Sequence, residues 1–360
     1  MLIYIFLLFL SFLLLGKSSD DKKTNNKQFF SLAFVVVVFA FISSVRGDFT
    51  SDYVVYANNY LKFDGVPFKN LLKVDKHYEP LFSLLNWTLI KISDDSVWLF
   101  TICSFLILIP YSIIIRRYSV NWGLSFILLL TVGFYLPSFN VTRQVVAASI
   151  CSLGVFYIYK KDFLRFCLIV VIASAFHRLS LLFLPFYFVL QIKPTAKNII
   201  LMLASVVAIS YAYEYISFYI IGLFGFDYTR DSEVLGMKSG DLKSCIVYLA
   251  VSAFVIFFGK PRNQKITIDN GRLSCIIYDA TLIWGALYLL SMNLQFVIRF
   301  TYYFFPFVAI ALPKTLLNVR NEAARKIIIA GIILLLSYFF FNAYSGSAYN
   351  PYYTIFSIRN

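Results

Sequence analysis

The sequence predicts an all-α, polytopic membrane protein. Of its 360 residues, 60% are hydrophobic and only 14% are charged, and the mean hydropathy is +0.76. A soluble domain carries roughly a quarter charged residues and under half apolar ones, so a soluble enzyme is excluded. The 39 phenylalanines and 26 tyrosines are typical of proteins with aromatic belts at the membrane interfaces. Residues 1–360 are therefore predicted to form one integral-membrane domain.

A transmembrane helix needs about 20 mainly apolar residues, and shorter runs are tolerated when flanking side chains reach the interface. The chain contains twelve predicted spans: 1–16, 29–45, 97–115, 120–136, 144–159, 163–176, 179–192, 199–220, 244–258, 273–291, 296–312 and 327–342. The first run resembles a signal-peptide core, but it lacks a basic n-region and a small-residue cleavage site and is interpreted as a span. The sixth and seventh runs form a predicted hairpin hinged at His177 and Arg178.

One further apolar stretch, residues 81–92, is too short to cross comfortably, and the charge distribution decides its placement. If it does not cross, one set of loops contains nineteen basic and five acidic residues, and the rest of the chain contains thirteen of each. The positive-inside rule then makes this set cytoplasmic. Its loops are 17–28, 116–119, 160–165, 193–198, 259–272 and 313–326. Residues 81–92 are therefore predicted to be a re-entrant or interfacial helix within a large outer loop, 46–96. A second outer loop is predicted at 221–243, and both termini are predicted to lie outside.

The arginines on the outer face are candidate functional residues, because positive charge is scarce there. Arg143 begins an apolar helix, where free N–H groups and the helix dipole favour an anion. Its guanidinium adds the fork geometry that suits phosphate oxygens. Arg299 lies just inside another apolar run. Either arginine can instead snorkel to the lipid head groups, but ionisable residues in membrane helices usually have a function, so we favour that interpretation.

Both histidines fall on the outer face, and His177 is the sharper candidate. It lies at the break between two apolar helices, where packing alone would favour leucine or glycine. A histidine at such a break is a candidate general base. The alternative is a hinge histidine that bonds to backbone carbonyls. The carboxylates of the outer loop also have a simple interpretation, since most loop carboxylates are solvated.

Other features of the sequence have ordinary explanations. The lysine and arginine clusters belong to the cytoplasmic loops and set the topology, so nucleic-acid binding is excluded; contact with anionic lipid head groups is compatible with them. All five cysteines lie in or beside apolar runs without metal-ligand spacing, and they are interpreted as small buried hydrophobic residues.

Several short motifs on the outer face follow one another in a characteristic order. They are Asp52-Tyr53-Val54-Val55-Tyr56, Glu79-Pro80-Leu81-Phe82, Phe139-Asn140-Val141-Thr142-Arg143-Gln144, Phe176-His177-Arg178-Leu179-Ser180, and Arg299 followed by Tyr302-Tyr303-Phe304. The element Asn140-x-x-Arg143-Gln144 is the most specific of them. Together they resemble the EpsG-like branch of the Wzy-type O-antigen and exopolysaccharide polymerases, and the resemblance extends to the Asn350-Pro351-Tyr352 tail.

The resemblance implies a GT-C-like integral-membrane glycosyltransferase of the bacterial inner membrane, with both termini periplasmic. Such an enzyme transfers a growing glycan from undecaprenyl diphosphate to the non-reducing end of a new lipid-linked repeat unit. The reaction occurs at the periplasmic face, in lipopolysaccharide O-antigen or related polysaccharide biosynthesis. The implied partners are the undecaprenyl-diphosphate-linked oligosaccharide, membrane lipids and a chain-length regulator. No cofactor and no metal ion are expected.

This reaction suggests roles for the outer residues. Arg143, Arg299 and Arg178 are expected to bind the diphosphate. The proton acceptor is expected to be either His177 or Glu79, and the sequence does not distinguish between them. The side chains expected to bind sugars are Asp48, Asp52, Tyr56, Asn140, Gln144 and Tyr303.

Three other activities also suit a polytopic, basic protein, but this sequence supports them less well. A lipid-linked polysaccharide flippase or transporter is expected to carry cations along a central cavity, and the spans within 97–136 carry none. An O-antigen ligase usually has a long periplasmic loop late in the chain, whereas 221–243 is of ordinary length. A membrane O-acyltransferase would place its histidine in a cytoplasmic or acyl-carrier-facing setting.

Overall fold

The computed structural model describes residues 1–15, 26–132, 134–192, 195–211, 242–259, 268–292 and 295–358. The α-helices in these ranges are α1 (Leu2–Leu15), α2 (Asn26–Ser44), α3 (Ser51–Leu61), α4 (Pro80–Ile90), α5 (Val97–Tyr118), α6 (Trp122–Thr131), α7 (Thr142–Ser152), α8 (Val155–Lys160), α9 (Phe163–Ser174), α10 (Phe186–Val189), α11 (Ala196–Tyr211), α12 (Leu242–Phe258), α13 (Ile268–Ser291), α14 (Gln295–Ile298), α15 (Thr301–Leu316), α16 (Glu322–Tyr344) and α17 (Ile355–Ile358). Three 3-10 helices, Phe68–Lys73, Pro137–Phe139 and Arg178–Phe183, complete the regular structure of these ranges.

The described part of the chain is helical and contains no β-strand, which confirms the predicted all-α class. Four of its helices are long and apolar enough to cross a membrane: Asn26–Ser44, Val97–Tyr118, Gly271–Ser291 and Glu322–Tyr344. Shorter apolar helices of 10–17 residues accompany them. The count of twelve spans and the GT-C-like arrangement stay predictions.

In the described part of the chain, three of the predicted spans are interrupted, and one of them, the run 296–312, is divided between α14 and α15 at residues 299 and 300. The run 144–159 is divided between α7 and α8, and the break contains Gly154. A Cβ atom at this glycine would lie 2.9 Å from the Phe166 ring, so glycine is what lets α9 pack closely there. The run 179–192 is divided between a 3-10 helix and α10, and Pro185 between them has no N–H to continue the hydrogen-bond ladder.

Two predictions lie partly outside the described residues. The predicted span 199–220 is described as far as Tyr211, as the helix α11. The predicted outer loop 221–243 is outside the described residues up to residue 241.

The helix α15 occupies the centre of the described structure. It packs against α13, α7, α6, α12 and α5, and nearly all of its residues are buried. Peripheral helices instead expose large apolar side chains, such as Phe9 and Phe12 of α1 and Leu334 of α16. A soluble protein rarely shows such a surface, whereas a lipid-facing one requires it.

The predicted cytoplasmic loops are connected to one another at one end of the bundle. Arg272 Nη2 donates to Gln191 Oε1 at 2.8 Å, which joins α13 to the end of the seventh predicted span. Asn318 Nδ2 donates to the carbonyl oxygen of Phe258 at 2.8 Å. These pairs flank three of the predicted cytoplasmic loops, and this clustering agrees with the charge-based division of the chain.

The predicted outer segments meet in the same way. The amino nitrogen of Met1 lies 3.1 Å from Asn350 Oδ1. Gly47 N donates to the carbonyl oxygen of Tyr353 at 2.9 Å. The first residues, the C-terminal tail and the start of the loop 46–96 therefore lie together. The two termini are on one side of the bundle, and the identification of that side as periplasmic stays a prediction.

The chain enters and leaves α4 at this same end. At its entry, Glu79 contacts Arg143 at the start of α7. Beyond its exit lies Phe100, near the start of α5, and the centre of its ring is 4.3 Å from the guanidinium carbon of Arg46. A helix of 11 residues is only about 16 Å long, about half the thickness of a bilayer core.

We therefore predict that a reporter fused after Asp94 lies outside the cytoplasm. An alkaline phosphatase fusion at this position is expected to be active, and a cytoplasmic reporter such as β-galactosidase is expected to be inactive. The matched control is a fusion after Arg320, in the predicted cytoplasmic loop 313–326, which should give the opposite pair of results. An active cytoplasmic reporter at Asp94 would mean that α4 crosses the membrane.

Candidate active site

Glu79 lies at the centre of a polar cluster at the predicted outer end of the bundle. It is the N-cap residue of α4, and Pro80 follows at the first helical position, where a missing N–H costs no hydrogen bond. The next N–H, that of Leu81, donates to the carbonyl oxygen of Ala175 at 2.8 Å. This bond ties the start of α4 to the end of α9, so Glu79 is held beside the hinge that contains His177.

Three basic residues surround the Glu79 carboxylate. Arg143 Nη1 lies 2.8 Å from Oε2. The backbone N–H of Arg178 donates to Oε1 at 3.1 Å, and its Nε lies 3.7 Å from the same oxygen. His177 Nδ1 lies 3.4 Å from Oε1. Only 8% of the Glu79 side chain is exposed, so this cluster is a buried ionic network, and we call these four residues the Glu79 cluster.

The helix ends explain why these charges can be buried together. Arg143 lies in the first turn of α7, and Arg178 begins the 3-10 helix. The Arg178 N–H, at the start of the 3-10 helix, adds a backbone donor at the same place, whereas the N–H groups of Leu81 and Phe82 in α4 donate to the carbonyl oxygen of Ala175. An anionic side chain is stabilised by such surroundings, and this is also the environment that binds phosphate groups.

Aromatic rings lie around the Arg143 guanidinium. Its carbon lies 4.7 Å from the ring centre of Tyr78, 5.6 Å from that of Phe82 and 5.9 Å from that of Tyr56. Arg143 Nη1 also donates to the carbonyl oxygen of His77 at 2.6 Å. Sequence analysis selected Tyr56 but missed Tyr78 and Phe82, although both flank the Glu79-Pro80 motif.

The cluster changes the proton affinities of its two central groups. Burial alone would raise the pKa of the Glu79 carboxyl, but His177, Arg143 and the Arg178 N–H together lower this pKa to about 2. Burial lowers the pKa of His177 below 6.5, and the charges of Arg143 and Arg299 lower it further, against the effect of Glu79. At neutral pH, Glu79 is therefore ionised and His177 is neutral.

Arg299 and Tyr303 lie on the adjoining side of the cluster. Gln144 Nε2 donates to the carbonyl oxygen of Arg299 at 3.3 Å, so the element that carries Arg143 also contacts the Arg299 backbone. The Tyr303 hydroxyl lies 3.0 Å from Ser180 Oγ, next to the hinge. Both residues border the Glu79 cluster without contacting its carboxylate.

The predicted sugar-binding residues are divided by the structure. Asn140 Oδ1 accepts a hydrogen bond from the backbone N–H of Asp52 at 3.1 Å, so these two residues meet near the start of α7. Asp48 is exposed, and no hydrogen bond or ion pair joins it to the Glu79 cluster within the described ranges.

Arg46 is a residue of this region that sequence analysis missed. It is 1% exposed. Its Nη2 donates to the carbonyl oxygen of Phe139 at 3.3 Å and to Thr142 Oγ1 at 3.5 Å. These contacts hold the segment that leads into α7 and therefore help to place Arg143. The criterion that selected Arg143 and Arg299, a cation at the outer end of an apolar run, applies equally to Arg46.

Two other features lie apart from the cluster. In the described part of the chain, no group of three or more histidines, cysteines and carboxylates has metal-site geometry. A mainly apolar cavity of about 410 Å³ lies between α11 and α13. Its lining includes Asp279, whose Oδ2 has no hydrogen-bond partner among the described residues. None of the candidate site residues lines this cavity.

The apolar helices, the lipid-facing surface and the buried ionic cluster at one end define a helical membrane protein with a polar candidate site. Comparison with known families gives the assignment. The model of the EpsG family matches residues 29–356, and the chain belongs to this family of polysaccharide polymerase-like proteins. The match contains every candidate site residue and confirms the resemblance at the level of the family. No curated protein and no solved structure matches the chain.

Proposed function

We propose that this protein polymerises lipid-linked oligosaccharide repeat units at the periplasmic face of the bacterial inner membrane. It transfers the growing glycan from undecaprenyl diphosphate to the non-reducing end of a new repeat unit, in O-antigen or related surface polysaccharide synthesis. The observation that carries this proposal is the Glu79 cluster, in which the side chains of Arg143 and Arg178 and the backbone N–H of Arg178 converge on one anionic group. Membership of the EpsG family supports the same class of reaction.

The reaction makes modest demands that these residues can meet. The acceptor hydroxyl oxygen forms a bond to the anomeric carbon of the donor sugar, and the bond from that carbon to the diphosphate oxygen breaks. The electron pair leaves with undecaprenyl diphosphate, and the hydroxyl proton passes to a base. The protein therefore has to stabilise the leaving diphosphate, align the hydroxyl and accept one proton.

The residues divide among these tasks according to their position. Arg143 and Arg178 bind the diphosphate, with Arg299 on the adjoining side. His177 is the proton acceptor, because it is neutral at neutral pH, whereas the ion-paired Glu79 is a very weak base. Both ring nitrogens of His177 are buried without a hydrogen-bond partner among the described residues. Nδ1 faces Glu79 Oε1 at 3.4 Å, which leaves Nε2 to take the proton. Asp52 and Asn140 are candidates for the acceptor sugar.

Deletion of the gene tests the function through the length of the surface polysaccharide. In a strain whose polysaccharide is displayed on lipopolysaccharide, we expect the ladder on a gel to collapse to core plus one repeat unit, and plasmid-borne wild type to restore it. Loss of a ligase or a flippase would instead leave core without any repeat unit, and loss of an acyltransferase would leave the ladder intact. Either pattern would contradict the proposal.

A further inference from the structure

The Glu79 carboxylate already occupies the donors that a diphosphate would need. Its Oε2 accepts a hydrogen bond from Arg143 Nη1, and its Oε1 accepts one from the backbone N–H of Arg178. The side chain of Arg143 is only 17% exposed. Without Glu79, Arg143 would be a nearly buried cation with no carboxylate beside it. Leaving a buried charge unpaired in this way lowers the stability of the fold by several kilocalories per mole.

Arg143 has little capacity for a second anion while Glu79 is in place. Its Nη1 serves two acceptors, the carbonyl oxygen of His77 and the carboxylate of Glu79. Its Nε has no acceptor among the described residues, but it is buried, so this side of the guanidinium is closed to an incoming phosphate. A guanidinium binds a phosphate most tightly with two parallel N–H bonds. Because Nε is buried, such a pairing at Arg143 has to use Nη1, and the Glu79 carboxylate therefore has to withdraw from it.

We propose that Glu79 is a resident anion that holds the arginines in place until the diphosphate of the lipid-linked donor displaces it. This inference rests on the proposed function, because it takes the diphosphate as the incoming group. Glu79 thus competes with the substrate for Arg143 and Arg178 and keeps the empty site folded.

Displacement also prepares the base. Once the diphosphate has taken the two arginines, Glu79 retains its third neighbour, His177, whose Nδ1 already lies 3.4 Å from Oε1. A carboxylate in this position orients an imidazole and stabilises the imidazolium that forms when the acceptor hydroxyl gives up its proton. Glu79 is then a positioning residue for His177, and donor binding is coupled to activation of the base.

The test is the affinity of the purified full-length protein, in detergent or nanodiscs, for inorganic pyrophosphate. Glu79→Gln removes the competing charge, so we expect it to bind pyrophosphate about tenfold or more tightly than wild type, since hydrogen bonds to charged groups are of this strength. We also expect Glu79→Gln to lose most of its polymerisation. The matched control is Asp64→Asn, which removes one exposed carboxylate from the same loop. We expect it to change the affinity by less than about twofold, because surface charges are screened.

A second variant covers the case in which Glu79→Gln does not fold. Glu79→Asp keeps the charge but is one methylene shorter and cannot reach Arg143 and Arg178 together, so its affinity for pyrophosphate should also rise above that of wild type. Equal or weaker pyrophosphate binding by both variants, with measurable binding by wild type, would overturn the displacement and leave the proposed function standing. If wild type and both variants fail to bind pyrophosphate at millimolar concentration, the arginine site itself is wrong and the proposed function loses its main support.

Discussion

Replacement of Arg143 by alanine or by lysine is expected to abolish polymerisation while the protein accumulates at a near-normal level. Alanine removes the guanidinium that faces the diphosphate, and loss of one such donor typically lowers the rate roughly 10²–10³-fold. Lysine keeps the charge but offers no planar fork for two phosphate oxygens. The fold should tolerate both changes, because Glu79 keeps Arg178 and His177 as neighbours. The measurements are the polysaccharide ladder and an immunoblot of the membrane fraction.

A matched control comes from the opposite end of the protein. Arg165→Lys changes an exposed arginine that pairs only with Asp162, three residues before it, among the described residues, and it should leave the ladder at full length. A full-length ladder from Arg143→Lys would show that Arg143 acts as a point charge or as a membrane anchor. The bidentate role in diphosphate binding would then be wrong.

The sequence carried enough information to predict the division of the chain between two sides. Charge is counted along the chain and needs no tertiary contact, so the asymmetry of lysine and arginine separates the two sets of loops. The contacts between Met1 and Asn350 at one end, and between Arg272 and Gln191 at the other, agree with that division. Hydropathy was less informative about whether a predicted span forms one unbroken helix. The run 144–159 is mainly apolar and does not mark the interruption beside Gly154, where the structure shows that a larger residue would clash with Phe166.

The four members of the Glu79 cluster were also predictable one by one, but their grouping was not. Arg143 and His177 were selected as polar residues at the outer ends of apolar helices. Their common partner, Glu79, lies 64 residues from Arg143 in the chain, and no periodicity specifies that proximity. The sequence therefore left both Glu79 and His177 open as the proton acceptor. Burial and the neighbouring arginines distinguish them, because they hold Glu79 ionised and His177 neutral.

Replacement of His177 by glutamine is expected to remove most of the turnover while donor binding stays nearly unchanged. A positioned base contributes roughly 10²–10⁴ in rate, whereas glutamine keeps a polar side chain of similar length beside Glu79. In the wild type, activity should fall as the pH drops below 6.5, because burial, Arg143 and Arg299 lower the pKa of His177 and only the neutral imidazole accepts a proton. Glu79 cannot produce this acid limb while it is ion-paired, since its pKa is about 2. The measurements are the rate of polymerisation against pH and the affinity for pyrophosphate.

The second histidine supplies the matched control for this experiment. The side chain of His77 is exposed, and only its backbone carbonyl meets Arg143, so His77→Gln should keep both the wild-type rate and the acid limb. The residual activity of His177→Gln should lose the acid limb, because the group that titrates there is gone. An active His177→Gln together with an inactive Glu79→Gln of normal pyrophosphate affinity would transfer the role of base to Glu79. If His177→Gln and Glu79→Gln both polymerise at the wild-type rate, the reaction needs no protein base. The bond to the diphosphate then breaks first, and a phosphate oxygen accepts the proton of the hydroxyl group.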